Sequence, residues 1–388
     1  MIDFELTDEQ KAAARMAHDF AVNEIRPVAL ECDKTGVIPD DLVKKAAAAG
    51  LTAQAVPEEY DGGGLDAITA AIVSEEMFWG CAGIGTGLGA NNLAITPLLI
   101  AGNDEQKRKY LPRLSDPKNP KFAAFGLTEP GAGSDAASLA TVATPDGDDY
   151  ILNGQKCFIT NGGIADFYTI FATFDKSKGF GGICGFIVDR AWEGVSVGKH
   201  EDKMGIRASD TCEVILDNVK VPKENLMIPE GQGFYVVMQT LDATRAGVAA
   251  GATGVARAAF EEALKYAKER VQFRKPIIAQ QAISFMLADM AIKVEAARRL
   301  YLLAGWKAAN NLPCSLESSY AKAFAGDTAM EVTTNAVQIH GGYGYMKEYL
   351  VEKLMRDAKI MQIYEGTAQI QRLVIAGNLM GVTDTYPW

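Results

Sequence analysis

The sequence predicts an α+β protein in three parts: an N-terminal helical domain over 1–120, a central β domain built as a sandwich or barrel over 121–230, and a C-terminal helical bundle domain over 231–388. Three changes of texture predict it. Alanine-rich amphipathic sequence fills the first third, short β-rich runs separated by Gly, Asn and Asp begin near Phe122, and long helical patterns return from about Gly231. At 388 residues, 48% of them hydrophobic, the chain can bury two or three cores.

Thr7, Asp8, Glu9 and Gln10 make a capping box, which satisfies amide donors at a helix start, and the amphipathic stretch behind it predicts a helix through about Leu30. Segments 40–50, 66–80 and 103–115 carry apolar residues at helical spacing, punctuated by Asp61-Gly62-Gly63-Gly64 and Pro112. Strands are predicted over 122–128, 149–154, 156–160, 167–174, 183–189 and 212–221, at intervals too short for a βαβ sheet. Helices follow over 236–268, 278–310 and 315–338, then a glycine-rich turn and a last helix after Glu365. Helices this long pack as antiparallel bundles. A β domain set between two helical ones leaves a three-way cleft, a common place for ligands.

The net charge of −11 repels phosphate backbones and anionic lipid, so neither nucleic acid nor a membrane is an expected partner. Cys32, Cys81, Cys157, Cys184, Cys212 and Cys314 lack metal-ligand or CxxC spacing and suit buried thiols in a reducing compartment. His18, His200 and His340 show no spacing for a triad or a metal site and are expected to be structural, with no metal. No basic patch precedes an apolar run at the N-terminus, and no stretch reaches ~18 uninterrupted apolar residues. The expected location is the cytoplasm, or the mitochondrial matrix for a mature form.

Gly85-Thr86-Gly87-Leu88-Gly89-Ala90 formally fits a dinucleotide fingerprint with Asp104 as the ribose acid, but the preceding AITAAIVSEEMFWG reads as helix where that fingerprint needs a strand. A close helix contact or a roomy pocket wall is the better reading. Residues 128–135, TEPGAGSD, follow an apolar strand and let backbone amides and hydroxyls approach a phosphate or flavin edge, although an ordinary glycine-rich turn would look the same. Phe158 to Gly163 put an aromatic face and the Thr160 hydroxyl at a sheet rim, which packing alone would also explain. Arg270-Val271-Gln272-Phe273 closes a helix, where the arginine either offsets the negative helix end or clamps an anion. Gln338 and the run Gly341-Gly342-Tyr343-Gly344-Tyr345 offer bare backbone beside an amide and aromatics. In Tyr364-Glu365-Gly366-Thr367, a carboxylate among Ile360, Met361 and Ile363 suits a general base with a raised pKa; a glutamate stabilised by a helix dipole is the plainer alternative.

LTEPGAGSD (127–135), NGQKCFITNGG (153–163), ERVQF (269–273), QIHGGYGY (338–345) and RDAKIMQIYEGTAQIQR (356–372), in that order, resemble the acyl-CoA dehydrogenase family from about Phe4 to Leu379, most closely its short- and medium-chain members. The resemblance implies a four-helix bundle at the C-terminus and a homotetramer with one FAD per subunit. It implies that Phe125, Leu127, Thr128 and Ser134 line the flavin and its diphosphate, that Phe158 and Thr160 meet the isoalloxazine, and that Arg270, Gln272, Phe273, Gln338 and Gly342 reach a neighbouring subunit's FAD. Thr367 and Gln369 complete the site. Glu365 is implied to take the α-proton of an acyl-CoA as hydride leaves the β-carbon, giving the trans-2-enoyl-CoA, with its own backbone amide polarising the thioester. Thr244 stands where some relatives carry the base, which threonine cannot be. Ser134, Phe234, Met238, Leu241, Asp242, Arg245, Tyr364 and Gly366 are implied around the substrate, with segment 84–96 as the pocket floor and Gly85, Gly87 and Gly89 suggesting space for a straight, branched or alicyclic acyl group. Electron-transfer flavoprotein is the implied acceptor. Two departures stand out: Arg274 replaces a common glycine, and Phe158 a common tryptophan. An oxidase, a ring-desaturating relative and a flavin- or acyl-CoA-binding protein without turnover are the competing readings.

Overall fold

The computed structural model describes residues 5–381. Phe4 and the outer ends of the expected first and third domains lie outside the described residues.

The N-terminal part is helical: α1 (Asp8–Phe20), α2 (Ala29–Thr35), α3 (Asp40–Ala48), α4 (Ala67–Gly80), α5 (Ala82–Ala101) and α6 (Asp104–Tyr110). The capping box at Thr7 and Gln10 forms as predicted. The helix expected through Leu30 is broken by a π turn at Ala21–Ile25 and a 3-10 turn at Arg26–Val28, where Pro27 supplies no amide donor. α4 starts at Asp66, whose carboxylate accepts from the Thr69 amide.

α5 is not apparent from the sequence. Its glycines and Pro97 hide it, yet it runs 20 residues and is long and apolar enough to span a membrane by length and composition. Twelve of its residues are buried within the fold, which marks it as a core helix. A Cβ on Gly85 would lie 2.7 Å from the Phe78 ring and one on Gly87 2.6 Å from Ile38, whereas one on Gly89 would meet nothing. Two of the three glycines therefore serve close packing, which corrects the expectation that all three mark open space.

The central part contains β1 (Phe122–Gly126), β2 (Val142–Asp146), β3 (Asp149–Thr160), β4 (Ala165–Thr173), β5 (Ile183–Asp189), β6 (Val195–His200), β7 (Thr211–Val221) and β8 (Leu226–Ile228). The two runs expected at 149–154 and 156–160 are one bulged strand, β3. β6-β7-β3-β2 and β1-β4-β5-β8 form two groups joined through the single pair Val142 and Thr173. Leu152, Val214 and Leu216 of one group pack against Tyr168, Ile170, Phe186 and Val188 of the other, as in a sandwich.

The C-terminal part is built on α7 (Gly233–Glu269), followed by the hairpin β9 (Val271–Gln272) and β10 (Lys275–Pro276), then α8 (Gln281–Ala309), α9 (Ser315–His340), α10 (Leu350–Ala358) and α11 (Ala368–Leu379). α7 packs on α4, α8 and α9 through small residues: Ala249, Ala250, Ala256, Ala259 and Ala263 are fully buried. Side chains bind the three parts together. Asn91 accepts from the Ala123 amide, Asn161 donates to the Gly87 carbonyl, and Asp357 accepts from the Ile206 amide.

Candidate active site

Between α10 and α11 the chain makes a turn in which Glu365 (φ 50°) and Gly366 (φ 90°) are both left-handed. A non-glycine residue held there costs of order 1–3 kcal/mol and persists only where its surroundings dictate it. Here they do. Lys322 Nζ donates to the Gly366 carbonyl at 2.5 Å, and Gln371 Nε2 donates to the same oxygen at 3.1 Å. The Thr367 hydroxyl accepts from the Ile370 amide and so starts α11.

The Glu365 side chain receives a hydrogen bond from the Thr244 hydroxyl, 2.9 Å to Oε2. The residue keeps part of its surface accessible, but protein surrounds it closely enough that burial raises its pKa. The Thr244 bond and the charges of Lys322 and Arg245 oppose that rise without cancelling it. A carboxylate so held, more basic than usual, suits proton abstraction. From the sequence, Thr244 is notable only as a residue that cannot be a base; in the structure its hydroxyl is the hydrogen-bond donor to the Glu365 carboxylate.

Phe234, Met238 and Leu241 lie half-buried on one side of α7, leading to Thr244, and pack in the same cluster as Phe125. Tyr364 is half-buried, its hydroxyl 3.0 Å from Met361 Sδ. Asp242 and Arg245 pair with each other. Arg245 is buried and donates to Asp242 at 2.5 Å, and the Asp242 backbone carbonyl accepts from Ser318. They brace the α7 wall behind Glu365.

The second set of predicted residues lies on the β domain. Leu127 and Thr128 are anchored to β3: Cys157 N–H donates to the Thr128 carbonyl at 2.9 Å, and Lys156 Nζ donates to the Leu127 carbonyl and to Glu129, at 2.6 Å to the latter. Glu129 also accepts from the Ala140 and Thr141 amides. Beyond this brace the loop opens: Ser134 is exposed, and a Cβ on Gly131 or Gly133 would meet nothing. The β3 bulge between Lys156 and Ile159 holds Phe158 at φ 57° and leaves it 65% exposed, with Thr160 half-buried beside it. An open run of bare backbone beside a presented aromatic ring fits a cofactor with a diphosphate and a planar ring system, as FAD has.

The third set is remote. Arg270 caps α7, Phe273 sits at the β9-β10 turn, and Gln272 and Gly342 are exposed. Arg270, Gln272 and Gly342 line a groove of 440 Å³ with Tyr266, His340, Tyr343 and Met346, and the Arg270 guanidinium lies over the Tyr343 ring. Gln338 is exposed near the end of α9. Along α7, Thr244 and Arg270 are about 39 Å apart at a rise of ~1.5 Å per residue, so this group and Glu365 cannot meet on one flavin ring within the chain. Thr367 and Gln369 sit at the start of α11 beside Glu365, Gln369 exposed.

The histidines all have structural partners: His18 pairs with Glu76, His340 bonds the Ala336 carbonyl and stacks on Tyr266, and His200 bonds Asp210. The fold brings His200, Asp210 and Cys212 within 4.8 Å of one another, a cluster the sequence spacing did not reveal. Burial pushes the Cys212 thiol up to about 12, and Asp210 is engaged by the Gly163 amide, so the group braces the turn after Thr160. All six cysteines are free, five of them buried.

This fold and site are those of a flavin-dependent oxidoreductase. Three family profiles cover the chain in order: acyl-CoA dehydrogenase N-terminal domain over 7–117, middle domain over 124–219 and C-terminal domain over 231–380. The short-chain specific acyl-CoA dehydrogenase of Clostridium acetobutylicum is 45% identical over 379 residues, 97% of this chain and all of that one. Butyryl-CoA dehydrogenase from Megasphaera elsdenii superposes with a TM-score of 0.94 at 46% identity, over 98% of this chain and all of that one. A structure described as the electron transferring flavoprotein of Acidaminococcus fermentans contains a chain matching at TM-score 0.95 and 47% identity, with 98% of this chain and all of that one covered. The chain belongs to the acyl-CoA dehydrogenase family.

Proposed function

We propose that this acyl-CoA dehydrogenase converts a short-chain acyl-CoA thioester to its trans-2-enoyl-CoA, with Glu365 as the base and FAD as the hydride acceptor. The observation that carries the reading is the Glu365 carboxylate, raised in pKa by burial, hydrogen-bonded by Thr244 and fixed in a left-handed turn at the end of an apolar α7 wall. Glu365 takes the α-proton, which forms its O–H bond as the C–H bond breaks. The chemistry FAD supplies when bound is acceptance of the hydride equivalent leaving the β-carbon. Leu127, Thr128, Ser134, Phe158 and Thr160 would hold it, and Phe234, Met238 and Leu241 keep water from the acyl chain.

Two observations support a short acyl group. Gly85 and Gly87 of α5 are filled by Phe78 and Ile38, which leaves Gly89 as the open glycine, and the relatives include a short-chain specific enzyme and a butyryl-CoA dehydrogenase. The remoteness of Arg270 and Phe273 from Glu365 supports a homotetramer in which each subunit's hairpin completes another's cofactor site. Phe285, Ile292, Leu303 and Trp306 of α8 are exposed and give such an assembly apolar surface. The presented ring of Phe158 suits electron exit to an electron-transfer flavoprotein. Six unpaired cysteines suit the cytoplasm or a mitochondrial matrix.

The test is anaerobic titration of the purified protein with straight-chain, branched and alicyclic acyl-CoAs, following the visible flavin absorbance. Bleaching by butyryl-CoA ahead of longer, branched and cyclic thioesters is the expected result. A yellow protein that no acyl-CoA bleaches would contradict it.

A further inference from the structure

Lys322 is a charge that the function described so far does not use. It sits within α9, 1% exposed, and it has no ion-pair partner among the described residues. An ammonium withdrawn from water without a carboxylate partner is costly, and burial pushes its pKa down to about 8. Its hydrogen bond goes to the Gly366 carbonyl, directly after Glu365. α9 lies close against this segment: one turn further along, a Cβ on Gly326 would come within 2.7 Å of the Met361 carbonyl, so Lys322 has little freedom to point elsewhere.

We propose that Lys322 is a positioning residue for the base: its ammonium clamps the Gly366 carbonyl, fixing the left-handed Glu365–Gly366 turn, and its charge offsets the burial of the Glu365 carboxylate. The inference rests on the assignment of Glu365 as the base. Clamp and charge are separable. Gln371 holds the same carbonyl but is neutral, so the clamp has a second member and the charge does not. The charged and titratable groups acting on Glu365 are Arg245 on α7, Lys322 on α9 and the neighbouring Tyr364; behind them Asp242 engages Arg245, and Asp327 on α9 acts on Lys322. Arg245 is already paired with Asp242, and Asp327 with Arg372, which leaves Lys322 as the cation at the turn without an acid of its own.

The test is the pH profile of anaerobic flavin reduction in the FAD-loaded enzyme, for wild type, Lys322→Gln and Lys322→Met, with Glu365→Gln run alongside. Glutamine keeps a donor for the Gly366 carbonyl and removes the charge. Its rate should fall about tenfold on the acidic side, the limb moving up by about one pH unit, and should recover at alkaline pH where Glu365 is ionised regardless. Methionine removes the charge and leaves Gln371 as the clamp's single member, so it should show the same shift of the acidic limb and, in addition, a deficit of about tenfold that persists at alkaline pH. A Lys322→Gln profile superimposable on wild type would overturn the proposal. Loss of FAD or of fold in Lys322→Gln would do so too, by assigning the lysine to stability alone. If Glu365→Gln itself reduces flavin normally, the base assignment fails, which is a different result from superimposable lysine profiles beside an inactive Glu365→Gln.

Discussion

Among the described residues the chain goes left-handed at two consecutive residues in two places, and the two are held in opposite ways. Glu365 and Gly366 are fixed from inside the protein, by Lys322, Gln371 and the Thr367 cap, with Thr244 on the carboxylate. Phe273 (φ 52°) and Arg274 (φ 66°) form the tip of the β9-β10 hairpin, with Phe273 87% exposed and two backbone pairs closing the turn. Strain enforced from within defines a geometry that one chain completes alone. Strain displayed at an exposed tip presents a side chain to something outside the chain, which in the proposed assembly is the cofactor site of a second subunit.

Breaking the inner turn should have the largest effect. Gly366→Ala adds a Cβ 2.6 Å from Gln371 Nε2 at a φ that costs a side-chain-bearing residue ~1–2 kcal/mol. Flavin reduction by acyl-CoA should fall about a hundredfold while FAD stays bound, since misplacement by about 1 Å costs on that order; single-turnover kinetics with a flavin spectrum checks both halves. Thr244→Val acts on the carboxylate and leaves the turn alone. The Glu365 pKa is raised by burial and held back by the Thr244 hydrogen bond, so losing that bond raises it further. Activity requires the ionised base and is lost as pH falls through this pKa, so the acidic limb of the rate profile should move to higher pH and the alkaline plateau should stay. A rate deficit of about tenfold on that limb is expected.

The outer turn should tolerate change. Arg274→Gly puts at φ 66° the one residue that adopts it freely. Thermal stability should hold or rise by up to about 1 kcal/mol, and the pH profile of turnover should not move. A profile shift in Arg274→Gly would mean that hairpin and base are coupled within the chain, against the contrast drawn above.

The two turns were unequally legible in the sequence. Glu365 stood out because an acid among Ile360, Met361 and Ile363 beside glycine is chemically conspicuous, and the α, β, α order followed from hydrophobic period alone. α5 did not stand out, because Gly85, Gly87, Gly89 and Pro97 are poor helix formers, and the use of Gly85 and Gly87 depends on Phe78, on another helix, and Ile38, far away in the chain. The β2 and β6 strands were missed because they are short and largely exposed, with Pro145 in one and polar Ser196, Lys199 and His200 in the other. Lys322 and Lys156 read locally as ordinary helix and strand lysines. Their partners, the Gly366 carbonyl and Glu129, lie 44 and 27 residues away, and only the folded chain reveals them.

The most direct test of the account is acyl-CoA reduction of the flavin in Glu365→Gln under anaerobic conditions. The amide fills the same space, accepts from Thr244 and cannot take a proton. The variant should be a yellow protein that retains FAD and binds acyl-CoA, with reduction slowed by about a thousandfold or more. Reduction at a near wild-type rate would contradict it and move the base elsewhere.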